Sequence, residues 1–443
     1  MSCKDKIFIT FAEHINFFLT MEQLLHYVWK HKIFPLNELR TTSGQPVEVI
    51  DAGRHNHHDG PDFFNAKLKI DGTLWVGNVE IHSLASDWMR HGHDKDKAYD
   101  SVIMHVAGEV DCEVFRTNGE SIPQLRLVCP EGVRRQYEEL LRADRFPPCH
   151  SVLGTLPELI VHSWLSALQS ERLEQKAALI NERLQRRNHH WEDTLFATLA
   201  RNFGFGTNGE AFETWANLVS LRAVDKHRDN LLQVEAIFLG QAGLLEDTAC
   251  SDAYYGLLQK EFRYLQHKFD LPCMDGSLWR FMRVRPANFP YIRLAQLAYL
   301  YHTGDGLLSR ILEAETLKDL SRLFVTRTSV YWETHFDFKK ASARKIKTIG
   351  AKSLNLLVIN TVVPFLYAYG RYKADERLCE RAGRLFDELA AEDNHVIRMW
   401  SEAGLPVSTA ADSQALIQLQ NEYCAPKKCL YCRFGYEYLK RNR

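Results

Sequence analysis

The spacing of hydrophobic residues changes once along the chain, near Gly132, and this change limits the folds open to the protein. Before that residue, apolar and β-branched residues alternate with polar ones, which is typical of strands with one buried face. After it, apolar residues recur at intervals typical of helices, with Gly, Pro or Asn between the runs. A sheet in the N-terminal third and helices beyond it indicate an α+β protein. The alternating runs are VEVIDAG, NAKLKIDG, TLWVGNVEIH and SVIMHVAG.

The order of elements in the N-terminal third follows from its turns. MEQLLHYVWK predicts a first helix, and Asp71-Gly72 between two alternating runs predicts a hairpin. Asn118-Gly119 predicts a second hairpin, and the polar run SDWMRHGHDKDKAYD predicts a surface helix before the strand SVIMHV. The expected order is therefore helix, three strands, helix, strand, with a further hairpin. RFPPCHSV is the predicted boundary, which gives an α/β domain over residues 1–146 and an all-α domain over residues 147–443 that ends in a cysteine group.

Charge composition argues against a general attraction to polyanions. Lys and Arg number 55 against 56 Asp and Glu, so a nucleic-acid partner would have to be bound by a local patch. Two basic segments, WRFMRVRPANFPYIRL and FKKASARKIKTIGAKS, supply the predicted nucleic-acid contacts Arg283, Arg285, Lys345 and Lys347. The N-terminal residues lack the pattern of a secretory signal, and no apolar run approaches the ~18 residues of a membrane span. We therefore expect a soluble, cytoplasmic protein with no membrane partner.

Three residues of the predicted sheet form a candidate catalytic site. Asp62 stands at the start of the second strand, while Glu80 and His82 lie two apart on the third and so share a face. Two carboxylates with room for water suit Mg²⁺ or Mn²⁺, which coordinate substrate phosphate readily. The alternative is structural: Asp62 caps the turn after Pro61, Glu80 pairs with a Lys or Arg, and His82 is a surface-facing strand residue.

This pattern resembles the PD-(D/E)XK nuclease superfamily, which has the restriction-endonuclease-like fold. Pro61-Asp62 corresponds to the Pro-Asp at the head of the second strand, and Glu80-Ile81-His82 to the acid-x-Lys of the third, with His in place of Lys. The resemblance implies a restriction-endonuclease-like domain with a mixed sheet and Mg²⁺-dependent hydrolysis of phosphodiester bonds in nucleic acid. It also implies supporting roles for further residues. These are Glu22 as an extra acid on the first helix, and Lys67 and Lys69 as substitutes for the missing cation.

Over nearly the whole chain, the sequence from GPDFFNAKLKIDG to SVIMHV and the segment YCAPKKCLYCRFGY resemble a bacterial family, the domain-of-unknown-function 2851 family. The resemblance to that family implies no particular activity. Two alternatives to the nuclease stay open. One is a catalytically degenerate nuclease fold that serves as a nucleic-acid or protein-binding scaffold. The other is a zinc hydrolase built on the histidine-rich loop.

Histidines are dense around the candidate carboxylates. His105 is the one expected to face Glu80 and His82 across the sheet, because it lies in an otherwise apolar strand. The others are interpreted as loop or core residues, since their spacing is not that of a zinc-protease helix. Trp88 and Tyr99 are predicted to pack the surface helix onto the sheet. The remaining histidines are His55, His57, His58, His91 and His93.

A cysteine group lies near the C-terminus. Cys424, Cys429 and Cys432 are spaced C-x4-C-x2-C, which favours a shared soft metal, Zn²⁺ or an iron–sulfur cluster. Three thiols leave such a site incomplete, and Cys149 or Cys273 is the candidate fourth ligand because each follows a Pro in a loop. The alternative is three reduced thiols packed in a turn. One distant Cys and three near the C-terminus also resemble the layout of certain exonucleases of the PD-(D/E)XK superfamily.

Overall fold

The computed structural model describes residues 11–35, 38–56, 58–144, 146–304 and 306–441, with side chains from residue 21 onward. These residues form two compact units. The sheet unit comprises Met1–Leu156 with Asn421–Arg443, and the helical unit comprises Pro157–Gln420. This division differs from the predicted partition in two respects. The sheet unit extends to Leu156 and not only to residue 146, and the cysteine-bearing C-terminal segment belongs to it, although the long helical stretch separates the two in sequence.

A single mixed sheet organises the sheet unit. The order of strands is β1-β3-β4-β5-β6, with β2 paired to β3. β1, β3 and β4 are antiparallel neighbours, whereas β5 runs parallel to β4 and β6 parallel to β5. A parallel neighbour requires a crossover, and the segment between β4 and β5 provides it. The strands are β1 (Val47–Asp51), β2 (Arg54–His55), β3 (Phe63–Ile70), β4 (Thr73–Leu84), β5 (Val102–Glu109) and β6 (Gln124–Arg126).

The hairpin between β3 and β4 forms where the sequence predicted it. Asp71 and Gly72 both adopt positive φ, 47° and 81°, as a two-residue turn that matches the strand twist requires. Along β3, Ala66, Leu68 and Ile70 are buried and the residues between them are exposed, as the alternation predicted. The first six residues of β5 are buried without alternation, as expected for a parallel strand covered on both faces.

Helices of the sheet unit pack against this sheet and against one another. α1 (Phe11–Lys30) packs against β4 and β5, and its Trp29 donates a hydrogen bond of 3.0 Å from Nε1 to the carbonyl of Ala52. The predicted surface helix after β4 is shorter than expected. Only α2 (Asp87–Arg90) is helical, and two 3₁₀ turns complete the crossover. The prediction that Trp88 packs inward is confirmed, since its side chain is fully buried.

The C-terminal segment completes the sheet unit. Its α20 (Arg433–Lys440) packs against α3 (Glu131–Arg142) and α4 (His150–Leu153). Tyr438 on α20 donates a hydrogen bond of 3.2 Å to the Glu139 carboxylate on α3, and the Lys427 ammonium contacts the carbonyl of Leu141.

The helical unit contains helices and no described strand. Its core is rich in aromatic residues, with Phe196, Phe212, Trp215 and Phe238 in contact and nearly fully buried. Its helices are α5 (Glu158–Arg186), α6 (Trp191–Phe203), α7 (Gly209–Leu218), α8 (Leu221–Lys226), α9 (Leu231–Gln241), α10 (Ala253–Phe269), α11 (Pro290–Thr303), α12 (Leu307–Glu313), α13 (Leu317–Leu323), α14 (Val330–Glu333), α15 (Ala351–Leu357), α16 (Val363–Lys373), α17 (Glu376–Glu388), α18 (His395–Glu402) and α19 (Ala410–Leu419).

One run in the helical unit is long and apolar enough to cross a membrane. It spans Ala351–Lys373, where a π-helical stretch joins α15 to α16. In the most apolar 18-residue window of this run, 61% is buried inside the protein, which is consistent with the core helix of a soluble protein.

Candidate metal centre

Asp62 and Glu80 are held against each other by the backbones of β3 and β4. The backbone N–H of Asp62 donates to Glu80 Oε2 at 3.0 Å, and the N–H of Ile81 donates to Asp62 Oδ2 at 2.9 Å. Each carboxylate therefore accepts a hydrogen bond from the backbone segment that carries the other, because Asp62 directly precedes β3 and Glu80 lies on β4. This exchange fixes both side chains at the end of the sheet where β3 begins.

Helix α1 contributes two titratable residues to the same place. The Nε2 atom of His26 lies 3.2 Å from Asp62 Oδ2. Burial alone lowers the pKa of His26, but its contact with Asp62 and the nearby charge of Glu22 outweigh that effect, so the pKa is raised. Burial raises the pKa of Glu22, with a smaller contribution in the same direction from Asp62.

Three imidazoles converge on the free side of Glu80. One nitrogen from each of His82, His91 and His93 lies within 4.8 Å of the other two, and we call this group the imidazole cluster. Glu80 Oε1 is 3.3 Å from His93 Nε2 and 3.6 Å from His82 Nε2. His82 and His93 are buried, whereas His91 is exposed, so the cluster opens to solvent on one side.

The crossover after β4 explains how His91 and His93 reach the strand. α2 ends at Arg90, and Gly92 adopts a left-handed conformation with φ 78° before the 3₁₀ turn that starts at His93. Glycine adopts such a conformation without the steric cost of a Cβ atom. The reversal returns both imidazoles to His82, and the ring of Tyr99 stacks on His93 at 3.7 Å between centroids.

A line of polar side chains crosses the sheet behind the cluster. Glu80 pairs with His105 across β4 and β5, and His105 pairs with Gln124 across β5 and β6. A hydrogen bond of 2.9 Å joins His82 Nδ1 to His105 Nε2, and Gln124 Nε2 lies 3.5 Å from His105 Nδ1. His105 therefore orients the His82 ring, as outer residues orient metal-binding imidazoles.

The buried environment shifts the ionisation of this group consistently. Burial, followed by the charge of Asp62, raises the pKa of Glu80 well above its ordinary value. Burial, followed by the neighbouring imidazoles, lowers the pKa of His82 strongly and that of His105 to about 3. Burial is also the main cause of the lowered pKa of His91 and of His93. The imidazoles are therefore neutral at neutral pH, and neutral imidazole is the form that binds metals.

The structure brings together some of the residues named from sequence and separates others. Asp62, Glu80, His82, Glu22 and His105 share one neighbourhood. The side chains of Lys67 and Lys69 are exposed and pair with Val76 and Leu74 near the far end of the hairpin, so they do not replace the missing cation beside Glu80.

His55 and His58, which precede Asp62 in sequence, are not members of the imidazole cluster. His55 stacks on Phe63 with centroids 4.7 Å apart, and the His58 backbone donates to Asn56. His57 lies outside the described residues. Sequence reasoning missed His26 altogether and treated His91 and His93 as loop residues; the His-Gly-His spacing was the available signal for the latter two.

The four cysteines nearest one another form a second group, the thiol cluster: Cys149, Cys424, Cys429 and Cys432, all buried. Burial is the main cause of the raised pKa of Cys149, Cys424 and Cys429, and the neighbouring thiols add to it. Cys432 raises the pKa of all three. Cys429 also raises the pKa of Cys149 and of Cys424, and Cys149 raises that of Cys424. Each thiol in the cluster is therefore near enough to the other three to affect their ionisation or to be affected by them. Cys273, the alternative fourth ligand, is exposed in the helical unit, where Gln266 donates to its sulfur.

The predicted nucleic-acid contacts differ in exposure. Arg283, Arg285 and Lys345 are exposed in the helical unit. Lys347 is buried, its ammonium donates to the carbonyl of Trp332, and it lies 4.2 Å from the centroid of the Phe336 ring. The prediction of a phosphate contact at Lys347 is therefore corrected, because its ammonium group is bound to other residues inside the protein.

The family model described as "Protein of unknown function (DUF2851)" matches residues 22–395. The chain belongs to this family, and the match includes both the carboxylates and the imidazole cluster. The expected similarity over the cysteine segment lies outside the matched range, which ends before Cys424. No curated protein and no solved structure matches the chain.

Proposed function

We propose that the protein is a metal-dependent hydrolase that cleaves phosphodiester bonds in nucleic acid. The observation that carries the proposal is the convergence of two carboxylates, Asp62 and Glu80, with the neutral imidazole cluster at an edge open to solvent. Two carboxylates beside a cluster of neutral imidazoles, partly open to solvent, fit a site for a dication.

The order of elements gives independent support. α1, β1, β3, β4, the crossover and β5 follow the helix, three strands, helix, strand order of the restriction-endonuclease-like fold, apart from the two-residue β2. Asp62 directly precedes β3, and Glu80 and His82 lie on β4, as in the PD-(D/E)XK pattern. We therefore propose that the sheet unit is a restriction-endonuclease-like domain.

The oxygen atoms available to a metal follow from the hydrogen bonds already made. Both described contacts of the Asp62 carboxylate involve Oδ2, and Glu80 uses Oε2 for its backbone bond. Asp62 and Glu80 would hold the metal, Glu80 through the side of its carboxylate that faces the imidazole cluster. The imidazole nitrogens beside Glu80 favour a transition-metal dication such as Mn²⁺ over Mg²⁺, because nitrogen ligands suit the softer ions. When bound, such an ion would supply an activated water and neutralise charge on the phosphate oxygens.

The residues around the metal have separate tasks. His26 holds the Asp62 carboxylate through its Oδ2 atom. His82 stands where the superfamily has Lys, and as a neutral imidazole it supplies a nitrogen atom to the site and contributes no fixed charge. His91, the exposed member of the cluster, is the imidazole placed to accept a proton from solvent or from the attacking water.

The test is cleavage of labelled single- and double-stranded DNA and RNA with Mn²⁺, Mg²⁺ or Zn²⁺. Asp62→Asn and Glu80→Gln keep the size of each side chain and should each lower cleavage at least about a hundredfold, a loss within the range for a metal-ligand or acid–base role. Glu48→Gln, on the exposed side of β1, is the matched control and should cleave normally.

Cleavage that survives both substitutions would overturn the assigned site. Tight nucleic-acid binding that is unchanged by both, with no turnover under any of the three metals, would establish the scaffold alternative instead. The cytoplasmic location belongs to the same proposal, since the free thiols Cys112, Cys129 and Cys250 suit a reducing compartment.

A further inference from the structure

The thiol cluster draws its members from distant parts of the sequence to element ends that pack together. Cys149 immediately precedes α4, and Cys432 immediately precedes α20. Cys424 ends a π-helical turn, and Cys429 begins a 3₁₀ turn. α20 packs against both α4 and that 3₁₀ turn, and backbone hydrogen bonds from Lys427 to Cys424 and from Lys428 to Tyr423 join the π-helical turn to the residues before Cys429, so the four buried cysteines lie on adjoining elements.

The packing of apolar side chains alone does not explain why these four cysteines lie on adjoining elements. The stretch from Cys424 to Cys432 consists of short turns, and Lys427 within it adopts a left-handed backbone with φ 56°. A chain of turns has few apolar side chains with which to hold itself in place; of this stretch, Leu430 is the buried hydrophobic residue besides the cysteines. Small irregular segments of this kind are commonly held by a metal.

We propose that Cys149, Cys424, Cys429 and Cys432 bind one thiolate-ligated metal centre, Zn²⁺ or an iron–sulfur cluster, that fastens the C-terminal segment to the sheet unit. Zinc binding releases the thiol protons to solvent as the sulfur–zinc bonds form. An iron–sulfur cluster, the alternative to zinc, requires iron and inorganic sulfide. Either centre has the four thiolate ligands that the cluster offers.

The centre has a consequence for the carboxylate site, and this step rests on the proposed function. Tyr431 lies between Cys429 and Cys432 in sequence, and its ring is parallel to that of His55, with an interplanar angle of 4° and centroids 6.1 Å apart. His55 in turn contacts His26, with ring centroids 5.4 Å apart, and His26 Nε2 lies 3.2 Å from Asp62 Oδ2. The thiol-bound metal would therefore position Tyr431 in the group of rings that holds the catalytic carboxylate.

Metal and acid-labile sulfide are measured on full-length protein purified without oxygen. A colourless protein with stoichiometric zinc, or a brown one with iron and sulfide, supports the proposal. Serine in place of any one of the four cysteines should remove most of the metal, whereas Cys273→Ser should not. Absence of all three elements, also after reconstitution with zinc or with iron and sulfide, would overturn the proposal, as would full metal retention in the four serine variants.

A second measurement avoids variants that fail to fold. In the native protein the four thiols should resist alkylation until a chelator removes the metal, while the exposed Cys273 reacts at once. Protection that a chelator does not change would show packing alone and would overturn the metal centre.

Tyr431→Ala separates the two proposals. It should keep the full metal content of the thiol cluster and lower cleavage, whereas Tyr436→Ala, which leaves Tyr431 and its contact with His55 in place, should not lower it comparably. Metal present without any cleavage in the wild type would contradict the nuclease and leave the thiol centre standing. Cleavage that is unaffected by Tyr431→Ala would contradict the positioning role alone.

Discussion

At the scale of single residues, the proposed metal site predicts that His82 influences which metal supports cleavage. His82→Lys removes one of the three clustered nitrogens and places a fixed charge beside Glu80. The remaining ligands then resemble the carboxylate sets that bind Mg²⁺. We expect the ratio of Mn²⁺-supported to Mg²⁺-supported cleavage to fall at least about tenfold, a modest change for a ligand substitution.

The reverse exchange provides the control for this measurement. Lys67→His places an imidazole on the exposed part of β3, away from Glu80, and should leave the metal ratio unchanged. If His82→Lys also leaves the ratio unchanged, His82 takes no part in metal preference and the assigned ligand set is wrong.

Some residues of the site could be predicted from the sequence alone, and others could not. Asp62, Glu80 and His82 could be placed together because strand alternation and a two-residue turn are local rules. His26 could not, since its approach to Asp62 depends on how α1 packs against β4. His91 and His93 depend on the left-handed Gly92 and a 3₁₀ turn within a stretch that the sequence presented as an ordinary surface helix.

At the scale of elements, a buried carboxylate joins three helices of the helical unit. Glu235 on α9 is fully buried and accepts hydrogen bonds from Tyr254 on α10, from Ser329 and from Trp332 on α14. Burial nevertheless raises its pKa above the ordinary value of 4.5. Because the folded state favours the protonated form, this contribution to stability is complete below pH 4.5 and is lost as the pH rises through the folded pKa.

Glu235→Gln removes this titration. Chemical denaturation at a series of pH values should show that the free energy of unfolding of the variant varies less between pH 5 and pH 8 than that of the wild type, by about 1.4 kcal/mol for each unit by which the pKa is raised. Glu210→Gln, at an exposed position on α7, should keep the wild-type slope. Equal slopes for the Glu235 variant and the wild type would contradict the raised pKa.

A second prediction about elements follows from the contact between α20 and the 3₁₀ turn that begins at Cys429. A Cβ atom at Gly435 would lie 2.1 Å from the carbonyl oxygen of Cys429 and 3.3 Å from its Cα atom, and backbone atoms have little freedom to yield. Gly435→Ala should therefore separate the helix from the turn, lower the melting temperature and reduce the metal content of the thiol cluster.

Gly383→Ala on α17 is the matched control, because a Cβ atom there meets nothing within 4 Å. Alanine is the better helix former, so this variant should be as stable as the wild type or up to about 1 kcal/mol more stable. Thermal unfolding followed by circular dichroism, together with metal analysis, compares the two. Unchanged stability and metal content in Gly435→Ala would show that α20 does not need its close approach to the turn.

At the scale of the whole molecule, the sheet unit is discontinuous in sequence. Local patterns predicted both the sheet of the N-terminal third and the helices that follow, because alternation and helical periodicity depend on neighbouring residues. They assigned the C-terminal cysteine segment to the helical part because it follows those helices directly. Its packing against α3 and α4 rests on contacts between residues far apart in sequence, such as Tyr438 with Glu139, which no local pattern reveals.

Removal of residues 421–443 tests this arrangement. The truncation takes away α20 and three of the four clustered thiols, yet leaves every helix from α5 to α19 intact. Hydrogen exchange measured by mass spectrometry should show weaker protection in α3 and α4 and loss of the thiol-bound metal, because the surfaces that α20 covers become exposed. Peptides within the helical unit, Pro157–Gln420, serve as the internal control and should keep their protection. If protection instead falls in α5 and α19 while α3 and α4 are unaffected, the C-terminal segment belongs energetically to the helical unit, and the role proposed for its cysteines in closing the sheet unit fails.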